Sequence, residues 1–417
     1  MKNKILFLLI SGLLFVFCAP ITHAASLDET KSLLSDKERG ILQALDFYDE
    51  TNSKNMSRET YLNLIIKIAG LDRLNMEQAV QAGYLDYYDD GSLYPAGNVT
   101  YGEVITGLLT ALGYQSQLEA AKQGKQAALN LAANLKITSA LSLKLTDSIS
   151  AEQFGKMVYR SLDLPLMVQV TFGEKSQKYI TNKDRTLLSE IHHIYKGRGQ
   201  VTENGYSSFM GNSTIGKSQV KIDGTLLLET NDTEAEYLLG YLVEYYYQKE
   251  AGNEIARLIW INADSEENNE LYLDPYQRLD YKDGIYFYDE NGKTGTAKLE
   301  SSAIVLYNGK ATSKGALSSA QLSPKLGEVT LLDTKQCGSY NIAIIMDYTA
   351  GLVSYYDQNN SVLYLKNSLA IHISEDADIK IFDPYFNELG VNQITAGKTV
   401  WCARSLDGTY VTIMVSE

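Results

Sequence analysis

The chain has 417 residues, of which 45% are apolar and 21% are charged, and its formal net charge at pH 7 is −14. This length allows two or three domains, and the 30 tyrosines and six prolines favour folded β-structure over disorder. The negative charge repels nucleic acid and anionic lipid, so we expect no nucleic-acid partner.

The first residues are typical of a secretory signal peptide. Lys2 and Lys4 precede the apolar run ILFLLISGLLFVF (5–17), and small residues follow up to Ala24. This pattern predicts a signal peptide over residues 1–24 and therefore an exported protein. The apolar run is too short to span a bilayer comfortably, and no second run is a candidate. We therefore expect no transmembrane segment after cleavage of the signal.

The three cysteines bear on processing and on disulfides. A lipoprotein signal would use Cys18, but the bulky Phe17 before it suits that processing badly. Only Cys337 and Cys402 remain in the mature chain. Export permits a disulfide between them, yet two cysteines are no disulfide framework, and the sequence leaves their pairing open.

Three stretches open with the same helix-start pattern. They are MSRETYLNLIIKIAGL (56–71), VTYGEVITGLLTALGY (99–114) and ISAEQFGKMVYRSLDL (149–164). Ser57, Thr100 and Ser150 are candidate N-caps, because a hydroxyl can accept from a free N–H of the first turn. Glu103 and Gln153 complete capping boxes, and apolar residues flank each cap as in a hydrophobic staple. The pattern predicts three helix, loop and capped-helix units that pack together, unless unrelated helices merely share generic capping.

The stretch AGYLDYYDDGSLYPAGNVTYGEVITGLLTALGY (82–114) resembles a surface-layer homology (SLH) repeat. Such repeats run from a helix through a Gly-aromatic turn, an acidic DG loop and an aromatic-Pro step into a second helix. They usually occur in threes, and residues 36–165 supply three, at about 36–71, 76–114 and 118–165. The resemblance implies an N-terminal all-α pseudo-threefold bundle. Its grooves would bind the pyruvylated secondary cell-wall polysaccharide of Gram-positive-type bacteria.

The resemblance also implies two glycan-binding residues. The motif arginine is expected to face the anionic sugar, which suits the planar donors of a guanidinium. Only Arg58 occupies that position, since the other units have Tyr101 and Ala151 there. Glu103 stands at the glutamate position of the motif, where capping alone would also explain it. We expect Arg58 to supply most of the glycan affinity; alternatively, it is a solvated residue of the first helical turn.

No metal site is predicted. The loop DYYDDG (86–91) contains several acids, but it lacks the alternate acidic positions and the final glutamate of an EF-hand loop. The loop is better explained as a turn before the aromatic-Pro step.

The remaining two-thirds of the chain predicts β-rich domains over 168–308 and 325–417, joined by a small, polar linker over 309–324. Turn dipeptides between alternating runs predict β-hairpins. The hairpins are SQVKI-DG-TLLLE (218–229), IYFYDE-NG-KTGTAKLE (285–300) and TVWCARSL-DG-TYVTIMVS (399–416). No motif in this region is specific enough to name a module.

Sequence signatures of enzymes are weak. GNSTIGKS (211–218) satisfies the P-loop pattern, but an alternating strand and a DG turn follow where a helix should begin, so we predict no nucleotide binding. There is no HExxH motif and no G-x-S-x-G elbow. The run EYYYQ (244–248) could stack on sugars, but a half-buried strand explains it more simply. We predict no catalytic residue and no cofactor.

The sequence therefore predicts a non-enzymatic, exported protein of the cell wall or cell surface. SLH-like repeats would anchor it non-covalently to secondary cell-wall polysaccharide, and β-rich domains would be displayed for interaction. One alternative is an exported enzyme that acts on wall polymers through an unrecognised site in the β region. Another is a degenerate scaffold without affinity for glycan.

Overall fold

The structure is a computed structural model that describes residues 32–50, 55–121, 124–171, 178–231, 233–366, 369–373, 377–385 and 387–416. The predicted signal peptide, residues 1–24, lies outside these residues. None of the helices within the described ranges is long and apolar enough to cross a membrane.

The described chain contains eight α-helices and twenty strands. The helices are α1 (Asp36–Ala44), α2 (Arg58–Ile68), α3 (Met76–Gln81), α4 (Tyr101–Ala111), α5 (Gln115–Ala121), α6 (Gly124–Asn134), α7 (Ala151–Ser161) and α8 (Ser319–Leu322). The first ten strands are β1 (Pro165–Thr171), β2 (Lys178–Thr186), β3 (Ile194–Asn204), β4 (Gln219–Ile222), β5 (Leu226–Glu229), β6 (Leu242–Gln248), β7 (Ala256–Ala263), β8 (Asn269–Leu273), β9 (Arg278–Tyr281) and β10 (Ile285–Tyr288). The other ten are β11 (Thr294–Ala297), β12 (Leu299–Tyr307), β13 (Lys310–Ser313), β14 (Gly327–Asp333), β15 (Tyr340–Asp357), β16 (Val362–Leu365), β17 (Ala370–His372), β18 (Asp378–Phe382), β19 (Thr399–Arg404) and β20 (Tyr410–Val415).

The predicted N-terminal all-α pseudo-threefold bundle of three repeats is wrong. The described part of the chain is β-rich, with 36% of its residues in strands and 23% in helices, and the N-terminal helices are short. The reason lies in the core. Helices of this length bury little surface by themselves, so their apolar faces share one core with residues from outside the helices, including Leu166, Ile194 and Trp260. The compact unit that holds α1 to α7, residues 32–196 and 246–260 of the described chain, thus contains strands as well.

The predicted helix starts are confirmed. Ser57, Thr100 and Ser150 are the N-caps of α2, α4 and α7, and each side chain accepts a hydrogen bond from the backbone N–H three residues later. Glu103 and Gln153 close capping boxes with the second and third caps. The staple positions before and after the caps are all fully buried, namely Met56, Val99, Ile149, Tyr61, Val104 and Phe154.

A cyclic set of backbone hydrogen bonds joins the three residues that precede these caps. Met56 donates to the carbonyl of Ile149 at 2.9 Å, Val99 donates to Met56 at 3.0 Å, and Ile149 donates to Val99 at 3.3 Å. Each segment therefore gives one bond and receives one. Because three residues of different helix starts are tied in one ring, the N-termini of α2, α4 and α7 lie close together.

The first backbone N–H groups of a helix have no partner within the helix. In α2 and α4, carbonyl groups from a segment later in the chain accept hydrogen bonds from two of these N–H groups. The N–H of Arg58 donates to the carbonyl of Gly97 at 2.8 Å, and the N–H of Glu59 donates to Pro95 at 3.0 Å. In α4 the same two positions donate in the same way, Tyr101 to Asp147 and Gly102 to Leu145. The helix starts therefore do not depend on water for these bonds.

The second compact unit, residues 197–245 and 261–417 of the described chain, is built from sheets. A ten-stranded sheet is organised around β15, which has 18 residues and pairs with β12, β14, β16 and β19. The pairing with β12 is parallel, and the other three are antiparallel. Strands β9 to β11 form a small sheet. In the described chain as a whole, β3, β4, β5, β7 and β6 form a closed sheet in that order.

The three predicted hairpins are confirmed as the strand pairs β4–β5, β10–β11 and β19–β20. Their turn residues take the backbone conformations that the sequence required. Gly292 has φ 72° and Gly408 has φ 71°, while Asp223 and Gly224 both have positive φ, at 49° and 70°. Two successive positive φ values match the twist of a two-residue hairpin turn. The segment predicted as a linker, 309–324, contains β13 and α8.

Gly107 on α4 gives a prediction about packing. A Cβ there would overlap the hydroxyl of Tyr61 and lie 3.2 Å from its Cζ atom, and Tyr61 is completely buried. Alanine gains about 1 kcal/mol of helix propensity over glycine, but overpacking a core costs about 1–3 kcal/mol. We expect Gly107→Ala to lower the free energy of unfolding by about 1 kcal/mol, measured by urea denaturation.

A matched variant tests the cause. In a Tyr61→Phe background the overlapping hydroxyl is gone, so Gly107→Ala should be neutral or stabilising there. An equal loss in both backgrounds would show that the clash is not with this hydroxyl.

Candidate functional site

The structure brings the two predicted site residues together. Arg58, the first residue of α2, and Glu103, on the first turn of α4, form an ion pair with 2.8 Å between Nη2 and Oε1. Their side chains are only 1% and 7% exposed. Arg58 is thus not the solvated first-turn residue of the alternative hypothesis, and its guanidinium is not open to solvent either. The glycan-binding role of the pair remains a prediction.

Arg58 also binds the loop that follows α3. Its Nη1 donates to the carbonyl of Leu93 at 2.9 Å, and its Nη2 donates to the carbonyl of Asp86. Its guanidinium carbon lies 4.7 Å from the centre of the Tyr88 ring, within cation–π range. The residues 86–94, which we call the tyrosine loop, are therefore held at both ends by one buried cation.

Glu103 satisfies both of its oxygens. Oε2 accepts from the N–H and the hydroxyl of Thr100, at 2.9 and 3.0 Å, which is the capping box. Oε1 accepts from Arg58 and, at 3.4 Å, from the N–H of Asp86. The same carboxylate therefore caps α4 and neutralises Arg58. The other two motif positions carry no charge, since Tyr101 and Ala151 are both buried and uncharged.

The tyrosine loop presents three aromatic side chains to solvent. Tyr87 is 50% exposed, Tyr88 37% and Tyr94 54%. The Tyr88 and Tyr94 rings meet edge to face, with 5.2 Å between their centres. Tyrosine combines an apolar face with a hydroxyl, so this surface is suited to stacking against a sugar ring while bonding its hydroxyl groups.

Carboxylates flank these rings. The Tyr94 hydroxyl donates to Asp90 at 3.2 Å, and hydrogen bonds from Ser92 hold the pKa of Asp90 below its ordinary value. Asp86 pairs with Lys125 at 2.6 Å. Within the described ranges, no group of three or more His, Cys, Asp or Glu side chains is arranged to hold a metal ion.

The segment GNSTIGKS, 211–218, leads into strand β4 and not into a helix, as the sequence predicted. The N–H and hydroxyl of Thr214 donate to Oε1 of Glu203, at 2.6 and 2.8 Å, and Lys217 pairs with Asp378. The chain's own carboxylate thus occupies donors that a P-loop would offer to phosphate. Absence of nucleotide binding remains a prediction.

Cys337 and Cys402 are not paired with each other in the structure. Cys337 is exposed, whereas Cys402 lies buried on β19, and burial raises the pKa of its thiol to about 12. A thiol that rarely ionises reacts slowly.

A buried polar cluster in the sheet unit was missed by sequence reasoning. Glu328 on β14 is 5% exposed, and its Oε2, the Tyr272 hydroxyl and Nε of Arg278 have no hydrogen-bond partner within the described residues. The remaining guanidinium nitrogens of Arg278 donate to backbone carbonyls of Leu273, Pro324 and Gly327. Burial raises the pKa of Glu328 to about 8, although Arg278 opposes this. The sequence showed how many acidic residues the chain has, but it did not show which of them is buried.

No protein-family model matches the chain, and no curated protein matches it.

The Arg58–Glu103 pair gives a prediction about stability. Removing one partner of a buried ion pair leaves an uncompensated charge and costs about 3–5 kcal/mol. We expect Arg58→Ala to lower the free energy of unfolding by that amount, and Arg58→Ala with Glu103→Gln to cost less than the two single changes added together. Urea denaturation of all three variants measures this coupling.

The exposed pair Lys67–Asp46 provides the control for this measurement. Surface ion pairs contribute about 0–1 kcal/mol, so Lys67→Ala should change stability little. Strict additivity of the Arg58 and Glu103 changes would contradict the ion-pair model.

The buried Glu328 gives a prediction about pH. Between about pH 4.3, the ordinary pKa of glutamate, and its folded pKa of about 8, the folded protein keeps a proton that the unfolded chain releases. This group therefore makes the free energy of unfolding decrease as pH rises, by at most about 1.4 kcal/mol per pH unit. Glu328→Gln should remove that contribution, so its stability gain over the natural protein should grow from pH 5 to pH 8.

Urea denaturation at pH 5, 6.5 and 8 measures the difference, with the exposed Glu290→Gln as control. A constant difference between Glu328→Gln and the natural protein across this range would show that Glu328 does not bind the extra proton. Asp347, whose pKa burial also raises, contributes the same sign of slope in both proteins.

Proposed function

We propose that this chain is an exported, non-enzymatic cell-surface protein that attaches to the bacterial wall by binding secondary cell-wall polysaccharide through its tyrosine loop. The signal-like N-terminus and the resemblance of residues 82–114 to an SLH repeat support export and wall attachment. The proposal does not require a bundle of three repeats, because one loop and its support are sufficient.

The observation that favours this proposal most is how Arg58 supports the loop. A flexible loop loses conformational entropy when it binds, and a loop held beforehand loses less. Bonds from Arg58 to the carbonyls of Leu93 and Asp86 hold the loop, and its contact with Tyr88 positions that ring. Arg58 is therefore a positioning residue in this proposal and not a direct ligand of the sugar.

This arrangement changes the expected role of the pyruvyl group. Arg58 is neutralised by Glu103, and Lys125 pairs with Asp86, so these two cations beside the loop already have anionic partners. The loop itself carries the carboxylates of Asp89 and Asp90, which would repel a pyruvyl carboxylate. We therefore expect ring stacking and hydroxyl bonds to dominate binding, with little contribution from the pyruvyl charge.

Removing the exposed rings tests the proposal. We expect Tyr88→Ala and Tyr94→Ala each to weaken binding to purified Gram-positive walls by about tenfold, since each removes stacking area worth about 1.4 kcal/mol. Sedimentation with walls at increasing protein concentration measures the affinity. Tyr288→Ala, which removes a similarly exposed ring on β10, should bind as the natural protein does.

Two treatments of the walls complete the experiment. Walls stripped of secondary polysaccharide should lose the protein, whereas walls stripped of pyruvyl groups alone should retain it. If the natural protein sediments equally with stripped and intact walls, the proposed function is wrong. If removing pyruvyl alone abolishes binding, the loop does not recognise the sugar by stacking.

A further inference from the structure

A cleft of about 520 Å³ lies beside the C-terminal end of β6, away from the tyrosine loop in sequence. It is lined by His193, Tyr195, Tyr247, Lys249, Glu250, Ala251 and Gly252. This volume falls within the range of roughly 300–1,000 Å³ that small-molecule sites have. For the run EYYYQ the sequence favours a half-buried strand over sugar stacking, and it does not show that Tyr195 lies beside this run.

Alternation along β6 separates its tyrosines. Tyr246 is buried in the core, where it meets Trp260 edge to face at 5.9 Å. Tyr247 faces the other way and lies beside Tyr195, with 5.6 Å between the ring centres and 33° between the ring planes. Tyr195 is 40% exposed, so the pair offers aromatic surface to the cleft.

The walls of the cleft are held by hydrogen bonds to the backbone. The N–H of Lys249 donates to the carbonyl of His193 at 3.0 Å, and the Gln248 side chain donates to the carbonyl of His192 at 3.1 Å. His192 itself is anchored by a 2.9 Å hydrogen bond between its Nε2 and the carbonyl of Ile68. The two strands that carry the tyrosines are therefore fixed where the cleft opens.

We infer that this cleft is a binding site for a short, neutral oligosaccharide. The two tyrosine rings supply an apolar platform for the C–H face of a pyranose, and the polar groups around them can bond its hydroxyls. Lys249 and Glu250 carry opposite charges, so the cleft has no strong preference for an anion or a cation. The net charge of −14 further disfavours anionic ligands such as nucleotides.

A second tyrosine pair shows what a purely structural role looks like. Tyr355 and Tyr364 are direct cross-strand partners on β15 and β16, with ring centres 4.6 Å apart and planes at 20°. Such pairs stabilise sheets by contact alone. This pair does not line the cleft, so it serves as a matched control for loss of an exposed tyrosine from a sheet.

Calorimetric titration of the full chain with cellotriose, maltotriose and the N-acetylglucosamine trimer tests the inference. We expect saturable binding of at least one, weakened about tenfold or more by Tyr247→Ala and by Tyr195→Ala. Tyr247→Phe keeps the ring and should stay within about threefold, and Tyr355→Ala should not change affinity. Ala251→Trp, which adds bulk at the exposed edge of the cleft, should block binding without removing either tyrosine.

The outcomes separate this site from wall attachment. Tyr88→Ala should weaken wall binding about tenfold and leave oligosaccharide affinity unchanged, whereas Tyr247→Ala should weaken oligosaccharide binding and leave wall binding unchanged. The inference is overturned if no trimer binds at about 10 mM, or if Tyr247→Ala and Ala251→Trp bind as the natural protein does.

Discussion

Three backbone hydrogen bonds, between Met56, Val99 and Ile149, determine where the N-terminal helices begin relative to one another. Each bond joins the segment before one helix cap to the segment before another. Because the bonds close on themselves, moving one helix start would break two of them. The caps at Ser57, Thr100 and Ser150 follow directly, so the positive ends of three helix dipoles converge on one region.

This convergence explains why a buried ion pair is placed here. Arg58, the first residue of α2, lies against the segment that precedes α4, because its backbone N–H donates to the carbonyl of Gly97. Arg58 therefore meets Glu103, whose carboxylate is held at the N-terminus of α4 by capping. A carboxylate there is favoured by the helix dipole, and an arginine beside it removes the cost of burying that charge alone.

The same geometry explains how much was predictable. Caps and hairpin turns are local, so Thr100 with Glu103 and Asp223 with Gly224 could be recognised from neighbouring residues. The pairing of Arg58 with Glu103 joins positions 45 residues apart, and the sequence showed them only as incomplete copies of one motif. The error about the all-α bundle has a similar origin. Periodicity identified the helices, but it could not show that Ile194 and Trp260 complete their core.

The raised pKa of the buried Glu328 could not be predicted from the sequence, for a different reason. Desolvation raises the pKa of Glu328 despite the opposing charge of Arg278, and the chain brings Tyr272, Tyr348 and Arg278 close to this glutamate from three separate strands. None of these residue types is unusual alone. A perturbed acid often marks a functional site, yet this one lies within packed strands, where the same shift signals a cost to stability.

The ion pairs of Arg58 and Lys125 limit which ligands would suit the tyrosine loop in the proposed function. Arg58 neutralises Glu103 and Lys125 pairs with Asp86, so the tyrosine loop has little positive charge to offer a polyanion. In a chain of net charge −14, long-range attraction of an anionic polymer is absent as well. Stacking on tyrosine needs no such attraction and is hardly screened by salt, because it acts at contact. The proposed recognition of sugar by exposed tyrosines is therefore compatible with the acidic composition of the chain.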